Sequence, residues 1–251
     1  MIERKSEREI ELMHEAGKLV AKIHKELAKM IKPGITTMEI DKFVEEYMKK
    51  NGAKPAQKGY QGYPFATCAS INDEICHGFP RTDPLKNGDV VTIDFVADLN
   101  GGLADSAWTY PVGEVSDEVK HLCEVTKEAL YIGIKEAIVG NRVGDIGGAI
   151  EEYVEPFGYG IVREFAGHGI GPTIHEPPNI PHFGNRGKGQ RFKEGMVITI
   201  EPMINAGFWP SQMDSNGWTA RTIDGSLSVQ YEHTVAITKD GPLILTDQEN
   251  V

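Results

Sequence analysis

The hydrophobic residues of the first fifty positions fall in helical periods. Ile10, Met13, Val20, Ile23 and Leu27 follow Ser6 and Glu9, a Ser-x-x-Glu pair that reads as a capping box. Pro33-Gly34 ends that helix. Thr36 and Glu39 repeat the cap, Ile40, Phe43, Val44 and Tyr47 form the apolar face, and Asn51-Gly52 closes it. Then the period changes. Residues 89–98 and 103–112 are β-rich, and the "LNGG" between them predicts a hairpin. Helical patterns return over 116–139 and 144–156, and 159–164, 196–205, 228–238 and 242–246 are strand candidates.

The order helix, helix, hairpin therefore occurs twice, and so do the residues. "KNGDVVTIDF" (86–95) lies over "KEGMVITIEP" (193–202) at an offset of 107, and "IDKFVEEYMKKNG" (40–52) over "IGGAIEEYVEPFG" (146–158) at 106. Two matches at nearly one offset predict a duplicated unit, roughly 1–113 and 114–251, folded about a pseudo-twofold axis. No linker-like run divides the halves, so the whole of 1–251 reads as a single domain.

The repeat lays Asp94 over Glu201, each inside a strand too apolar to carry a lone charge cheaply. A second acid follows each, Asp105 in "GLADSAW" and Glu232 in "VQYEHTVAI". If the halves pair, four acids converge near the axis. They must protonate, pair with Arg or Lys, or hold a multivalent cation. The strands supply no Arg or Lys, which makes a cation the economical reading. A further donor lies in "FAGHGIGPTIHEPPNIPHF" (165–183), where His168, His175 and His182 recur every seven residues. Pro172, Pro177, Pro178 and Pro181 exclude the helix that would stack them. Imidazole added to carboxylates suits Mn, Fe, Co or Zn better than Ca or Mg, and cellular supply rather than the ligand set decides among them. Two bridging carboxylates would allow a pair of such ions, the arrangement hydrolases use to activate water. Other residues have plainer readings. His14, His24 and His121, on predicted helices, read as solvated, His182 as structural or surface, and Asp145 and Asp224 as cap or turn acids.

Bulk properties narrow the class. Hydrophobic content of 40% and charged content of 25% are those of a globular protein, and no apolar stretch approaches the roughly 20 residues that span a bilayer. The charged N-terminus has no apolar h-region, and the three unpaired-looking cysteines, Cys68, Cys76 and Cys123, fit a reducing cytoplasm. A net charge of −11 argues against a general nucleic-acid binder.

Five ordered motifs make the chain resemble type I methionine aminopeptidase over nearly its whole length: "SINDEICHGFP" (70–80), "TIDFVADLNGGLADSAW" (92–108), "FAGHGIGPTIHEPP" (165–178), "MVITIEPMINAG" (196–207) and "SVQYEHTVAIT" (228–238). The resemblance implies the α/β (α+β) pita-bread fold, duplicated helix-helix-hairpin units around a curved antiparallel sheet. It implies removal of the initiator methionine from nascent polypeptides whose second residue is small. Two divalent ions (Co, Mn, Fe or Zn) would be held by Asp94, Asp105, His168, Glu201 and Glu232, with Asp105 and Glu232 bridging. A bridging water or hydroxide would attack the Met carbonyl, Glu201 would relay the proton, His175 would steady the oxyanion and His77 would bond the next amide. The free α-amine would coordinate one ion. Tyr60, Tyr63, Cys68 and Trp218 match the methionine pocket. The resemblance implies nascent chains, met at the ribosome, as partners, and the bulk properties add the expectation of a cytoplasmic monomer without a membrane or nucleic-acid partner.

Three departures qualify the match. Ile174 stands where the family commonly has an aromatic, Gln57 and Gln61 replace Cys and His of some relatives, and "GFWPSQMDSNGW" (207–218) lacks the lysines of a bacterial ribosome-docking loop. Two other readings share the fold. Proline-specific relatives share all five ligands but usually carry a large additional N-terminal domain. Binding modules of this fold have lost the ligands, all of which are intact here.

Overall fold

The computed structural model describes residues 2–251. Its first half contains α1 (Glu7–Met30), α2 (Thr37–Lys50) and strands β1 (Ala53–Pro55), β2 (Cys68–Ile71), β3 (Glu74–Cys76), β4 (Val90–Leu99) and β5 (Gly102–Pro111). The second contains α3 (Asp117–Lys135), α4 (Val143–Val154), β6 (Gly160–Ile161), β7 (Gly167–Gly169), β8 (Glu176–Ile180), β9 (Val197–Ile200), β10 (Met203–Asn205), β11 (Ser211–Met213), β12 (Ala220–Thr222), β13 (Ser228–Gln230), β14 (His233–Thr238) and β15 (Gly241–Ile244).

Both predicted capping boxes form. Ser6 and Glu9 bond reciprocally at the start of α1, and Thr36 and Glu39 do so at α2, satisfying N–H groups that a helix leaves open. The β4–β5 hairpin pairs ten residues on each strand and turns at Asn100-Gly101, both with positive φ. Each half has its own core. One joins the apolar faces of α1 and α2 to β4 and β5 through Val20, Ile23, Leu27, Ile40 and Phe95. The other joins α3 and α4 to β9, β10 and β14 through Leu122, Leu130, Ile146, Ile150 and Ile198. The paired strands β4 and β5 thus have their counterpart in β9–β10 paired with β14–β13. Duplication at an offset near 107 is a duplication of the fold.

Two expected strands are interrupted. The run 196–205 breaks at Glu201-Pro202, and 228–238 breaks at Tyr231-Glu232. The cause is local. Pro202 has no N–H to give a ladder. The Glu201 N–H bonds instead to Nε2 of His182 at 3.0 Å, and the Glu232 N–H crosses to the Ala107 carbonyl at 2.8 Å. Strand 159–164 shrinks to two residues, while β7 and β8 pair within the Gly- and Pro-rich segment.

The halves are stitched where β5 meets β13 and β14. Thr234 Oγ1 accepts the Asp105 N–H at 2.9 Å and donates to the Asp105 carbonyl at 2.8 Å. Ser106 Oγ donates to the Glu232 carbonyl at 2.7 Å, and Thr109 Oγ1 to the Gln230 carbonyl at 2.7 Å. His24, expected in solvent, is buried behind this seam and is a correction. It follows Ile23 on the apolar face of α1, packs on Phe95 at 4.5 Å between ring centroids, and meets the Tyr110 hydroxyl at 2.7 Å and the Ser106 carbonyl at 3.2 Å. Burial lowers its pKa to about 3, so the ring is neutral. His14 is partly exposed and His121 exposed, as expected.

Candidate metal centre

Asp94 and Asp105 come from adjacent strands. Asp94 faces Ala107 and Val96 faces Asp105 across the β4–β5 ladder, so the acids are diagonal neighbours on one face of the sheet. Glu201 and Glu232 come from the two strand breaks of the other half. Their backbones leave the ladder there, and both carboxylates lie near enough to the aspartates to repel them.

His168 enters from β7, between β9 and β8. Its flanking glycines are required by this crowding. A Cβ at Gly167 would run into the Thr199 carbonyl, and one at Gly169 into the Pro177 carbonyl. Nδ1 of His168 lies 3.0 Å from the Gly169 carbonyl, an acceptor, so Nδ1 carries the hydrogen. The Nε2 lone pair is left free, 3.8 Å from Asp105 Oδ2 and 3.6 Å from Glu201 Oε1. This tautomer, fixed by a backbone carbonyl, is the one a metal ligand needs. Ligand atoms of Asp105, His168 and Glu232 lie within 4.8 Å of one another.

The four acids have no cationic side chain beside them. Among the described residues, no Lys or Arg forms an ion pair with any of them. Oδ1 of Asp105 and Oε1 of Glu232 are buried without a hydrogen-bond partner. Burial, reinforced by mutual repulsion, raises the Asp105 and Glu232 carboxyls well above the usual range. Burial likewise pushes Asp94 up to about 7 and Glu201 up to about 8. His168 is lowered to about 3 by burial and is neutral. Protons are thus the alternative occupants of this cluster. A divalent cation fits the donor set better, since it satisfies orphaned oxygens from both halves and the free imidazole lone pair together.

The cluster lies in a cavity of about 420 Å3 whose lining includes every site residue expected from the sequence. Tyr63 is buried, donates to the Thr67 carbonyl at 2.9 Å and meets Trp218 edge to face at 5.1 Å. His77 holds a positive φ of 56°, an uncommon conformation for a side chain of its size, and packs edge-on against Phe165 and Trp218. Burial lowers its pKa to about 4. His175 is the exposed histidine of the three. Its ring lies 4.2 Å from that of His168 and stacks on Tyr60, whose hydroxyl is 3.1 Å from Nδ1. Tyr60, expected as a pocket wall, therefore also touches a histidine expected in catalysis.

Sequence reasoning missed the supports. Thr199 Oγ1 donates to Glu201 Oε1 at 2.8 Å and accepts the His168 N–H at 3.0 Å, while Gln230 Nε2 donates to Glu201 Oε2 at 3.2 Å. Each lies two residues before a glutamate of the cluster, the period that places it on the same strand face. His182 is structural, as expected, and fully buried rather than on the surface. Asp145 caps α4 and Asp224 orders a turn, also as expected.

The sequence profile of metallopeptidase family M24 matches residues 11–239. Methionine aminopeptidase 1 of Bacillus subtilis is 50% identical over 246 residues, covering 98% of this chain and 99% of that protein. The crystal structure of methionine aminopeptidase from Rickettsia prowazekii superposes with a TM-score of 0.97 at 42% identity, covering 98% of this chain and all of that one. Prolidase from Pyrococcus furiosus is more distant, with a TM-score of 0.79 at 29% identity, and the chain covers 97% of itself but 65% of that structure.

Proposed function

This chain belongs to metallopeptidase family M24 as a methionine aminopeptidase, and from that premise we propose that it holds two divalent ions and releases N-terminal methionine from polypeptides whose second residue is small. One observation carries the dinuclear reading: each half contributes a buried, unpartnered carboxylate oxygen, from Asp105 and from Glu232, and both residues lie close to a neutral His168. Asp94 would hold one ion, His168 and Glu201 the other, and Asp105 and Glu232 both. When bound, the ions supply Lewis acidity toward the scissile carbonyl and a nucleophile at neutral pH.

The side chains around them divide the remaining work. Glu201, whose carboxylate is steadied by Thr199 and Gln230, takes a proton and returns it to the leaving amine. With the Tyr60 hydroxyl donating to Nδ1, His175 carries its hydrogen on Nε2 and can donate it to the developing oxyanion. His77 is neutral and can bond the second residue's amide. Tyr63, Trp218 and Cys68 offer the long, polarisable methionine side chain an apolar slot. The nascent chain, met in the cytoplasm, would be the partner.

Two tests follow. Metal-stripped protein should not cleave Met-Ala-Ser, and reloading with Mn, Co, Fe or Zn should restore cleavage, with Met-Ala-Ser far preferred over Xaa-Pro peptides. No turnover with any of these metals would overturn the reading, and a preference for Xaa-Pro would favour the prolidase-like alternative. Tyr60→Phe keeps the stacked ring and removes the hydroxyl, so kcat should fall about tenfold with KM little changed. An unchanged kcat would leave Tyr60 as a wall only.

A further inference from the structure

Gln57 lines the same cavity as Tyr63, Cys68, Val96 and Trp218. It is buried, with 8% of its surface exposed. Its orientation is set from the protein side. The Val96 N–H bonds to Oε1 at 2.8 Å, which requires oxygen there and turns the amide nitrogen the other way. That nitrogen has two hydrogens and two weak partners, Cys68 Sγ at 3.5 Å and the Asp94 carbonyl at 3.4 Å. The carbonyl contact is beyond the usual 2.7–3.2 Å range for N–H···O bonds. An amide nitrogen anchored through its own oxygen, on a residue that lines the cavity, and loosely satisfied is a donor available to a substrate side chain.

We propose that Gln57 is a specificity-determining residue whose amide N–H recognises the sulfur of the substrate's first side chain, selecting the thioether over an isosteric hydrocarbon. The proposal rests on the methionine-slot reading above. A thioether sulfur is a weak acceptor and the present partner of this N–H is itself a sulfur. The second amide hydrogen, held only by the distant Asp94 carbonyl, is free to turn to the substrate's sulfur, whereas a methylene in that place offers it no acceptor. Shape cannot make this distinction, because a chain with CH2 in place of S fills the same slot. The purely structural reading, in which Gln57 serves only the Val96 N–H, predicts no discrimination at sulfur.

The test compares kcat/KM on Met-Ala-Ser and norleucine-Ala-Ser for the metal-loaded wild type and for Gln57→Leu, a side chain of similar size without a donor. The wild type should prefer methionine by about fivefold, the worth of one net hydrogen bond, and the variant should bring the ratio close to one. Gln57→Leu also frees the Val96 N–H and could disturb folding. A second measurement therefore uses the wild type alone: the Gln57 side-chain amide resonances, observed by 15N NMR in the Zn-loaded enzyme, should shift with methioninamide and stay in place with norleucinamide. An equal ratio in both proteins, or identical shifts with both amides, would overturn the role of Gln57 while leaving the aminopeptidase reading intact. If the wild type cleaves neither peptide, the slot reading fails and this inference with it.

Discussion

Asp105→Asn should reduce peptide turnover to below about 1% of wild type while leaving the protein folded. Loss of a partner that merely orients a metal ligand typically costs 10- to 100-fold, and a ligand shared by two ions should cost more. The substitution is nearly isosteric, and the backbone of residue 105 is held independently, both its N–H and its carbonyl bonding to Thr234. The effect on stability should run the other way. Asp105 is a buried acid beside Asp94 and Glu201, and removing its capacity for charge relieves that crowding in the metal-free state. Metal-free Asp105→Asn should therefore melt no lower than metal-free wild type. Calorimetry together with an activity assay checks both halves of this result, and retention of more than a few per cent of turnover would contradict the bridging role.

The second large effect is the pH dependence of the metal-free protein. Burial raises the folded pKa of Asp94 to about 7 and of Glu201 to about 8, and moves Asp105 and Glu232 further up, whereas unfolded carboxyls titrate near 4. Groups with raised pKa contribute stability below the unfolded value, and that contribution is lost as pH rises through the folded value. Buried histidines act in the opposite sense, because His24, His168, His182 and His233 are lowered to about 3, so their effect lies below about pH 6.5. Between pH 7 and 8 the acids decide. Each proton held only by the folded state costs about 1.4 kcal/mol per pH unit, or roughly 3 °C in melting temperature for a chain of this size. Metal-free protein should lose several degrees over that interval. Metal-loaded protein, its carboxylates already ionised, should melt higher with little slope. A metal-free melting temperature that is flat or rising from pH 7 to 8 would contradict a cluster of protonated acids.

Much of this arrangement was legible in the chain because it rests on local rules. Ser6-Glu9 and Thr36-Glu39 state their caps, Asn100-Gly101 states its turn, and an offset near 107 carries Asp94 onto Glu201. The buried carboxylates declared themselves by being charged in strands too apolar to tolerate charge. What escaped was set by contacts distant in sequence. His182 and Ala107 draw the Glu201 and Glu232 N–H groups out of their ladders, and nothing within 196–205 or 228–238 except Pro202 announces the breaks. Periodicity assigned His24 to solvent by its polarity although its neighbours placed it on the buried face of α1. The role of Tyr60 depends on His175, 115 residues away, and that contact exists only once the second half closes over the first. Family likeness named residues that the fold brings to one cavity but left the Gln57 amide, where this chain departs from some relatives, to be interpreted from geometry.

The central claim is that acids from both halves share a pair of divalent ions. Anomalous diffraction at the manganese edge, from crystals of Mn-loaded protein, tests it most directly. Two peaks should appear, both within bonding distance of Asp105 and Glu232, with Asp94 on one and His168 and Glu201 on the other. One peak at full manganese saturation, or peaks that leave Asp105 and Glu232 unengaged, would contradict it.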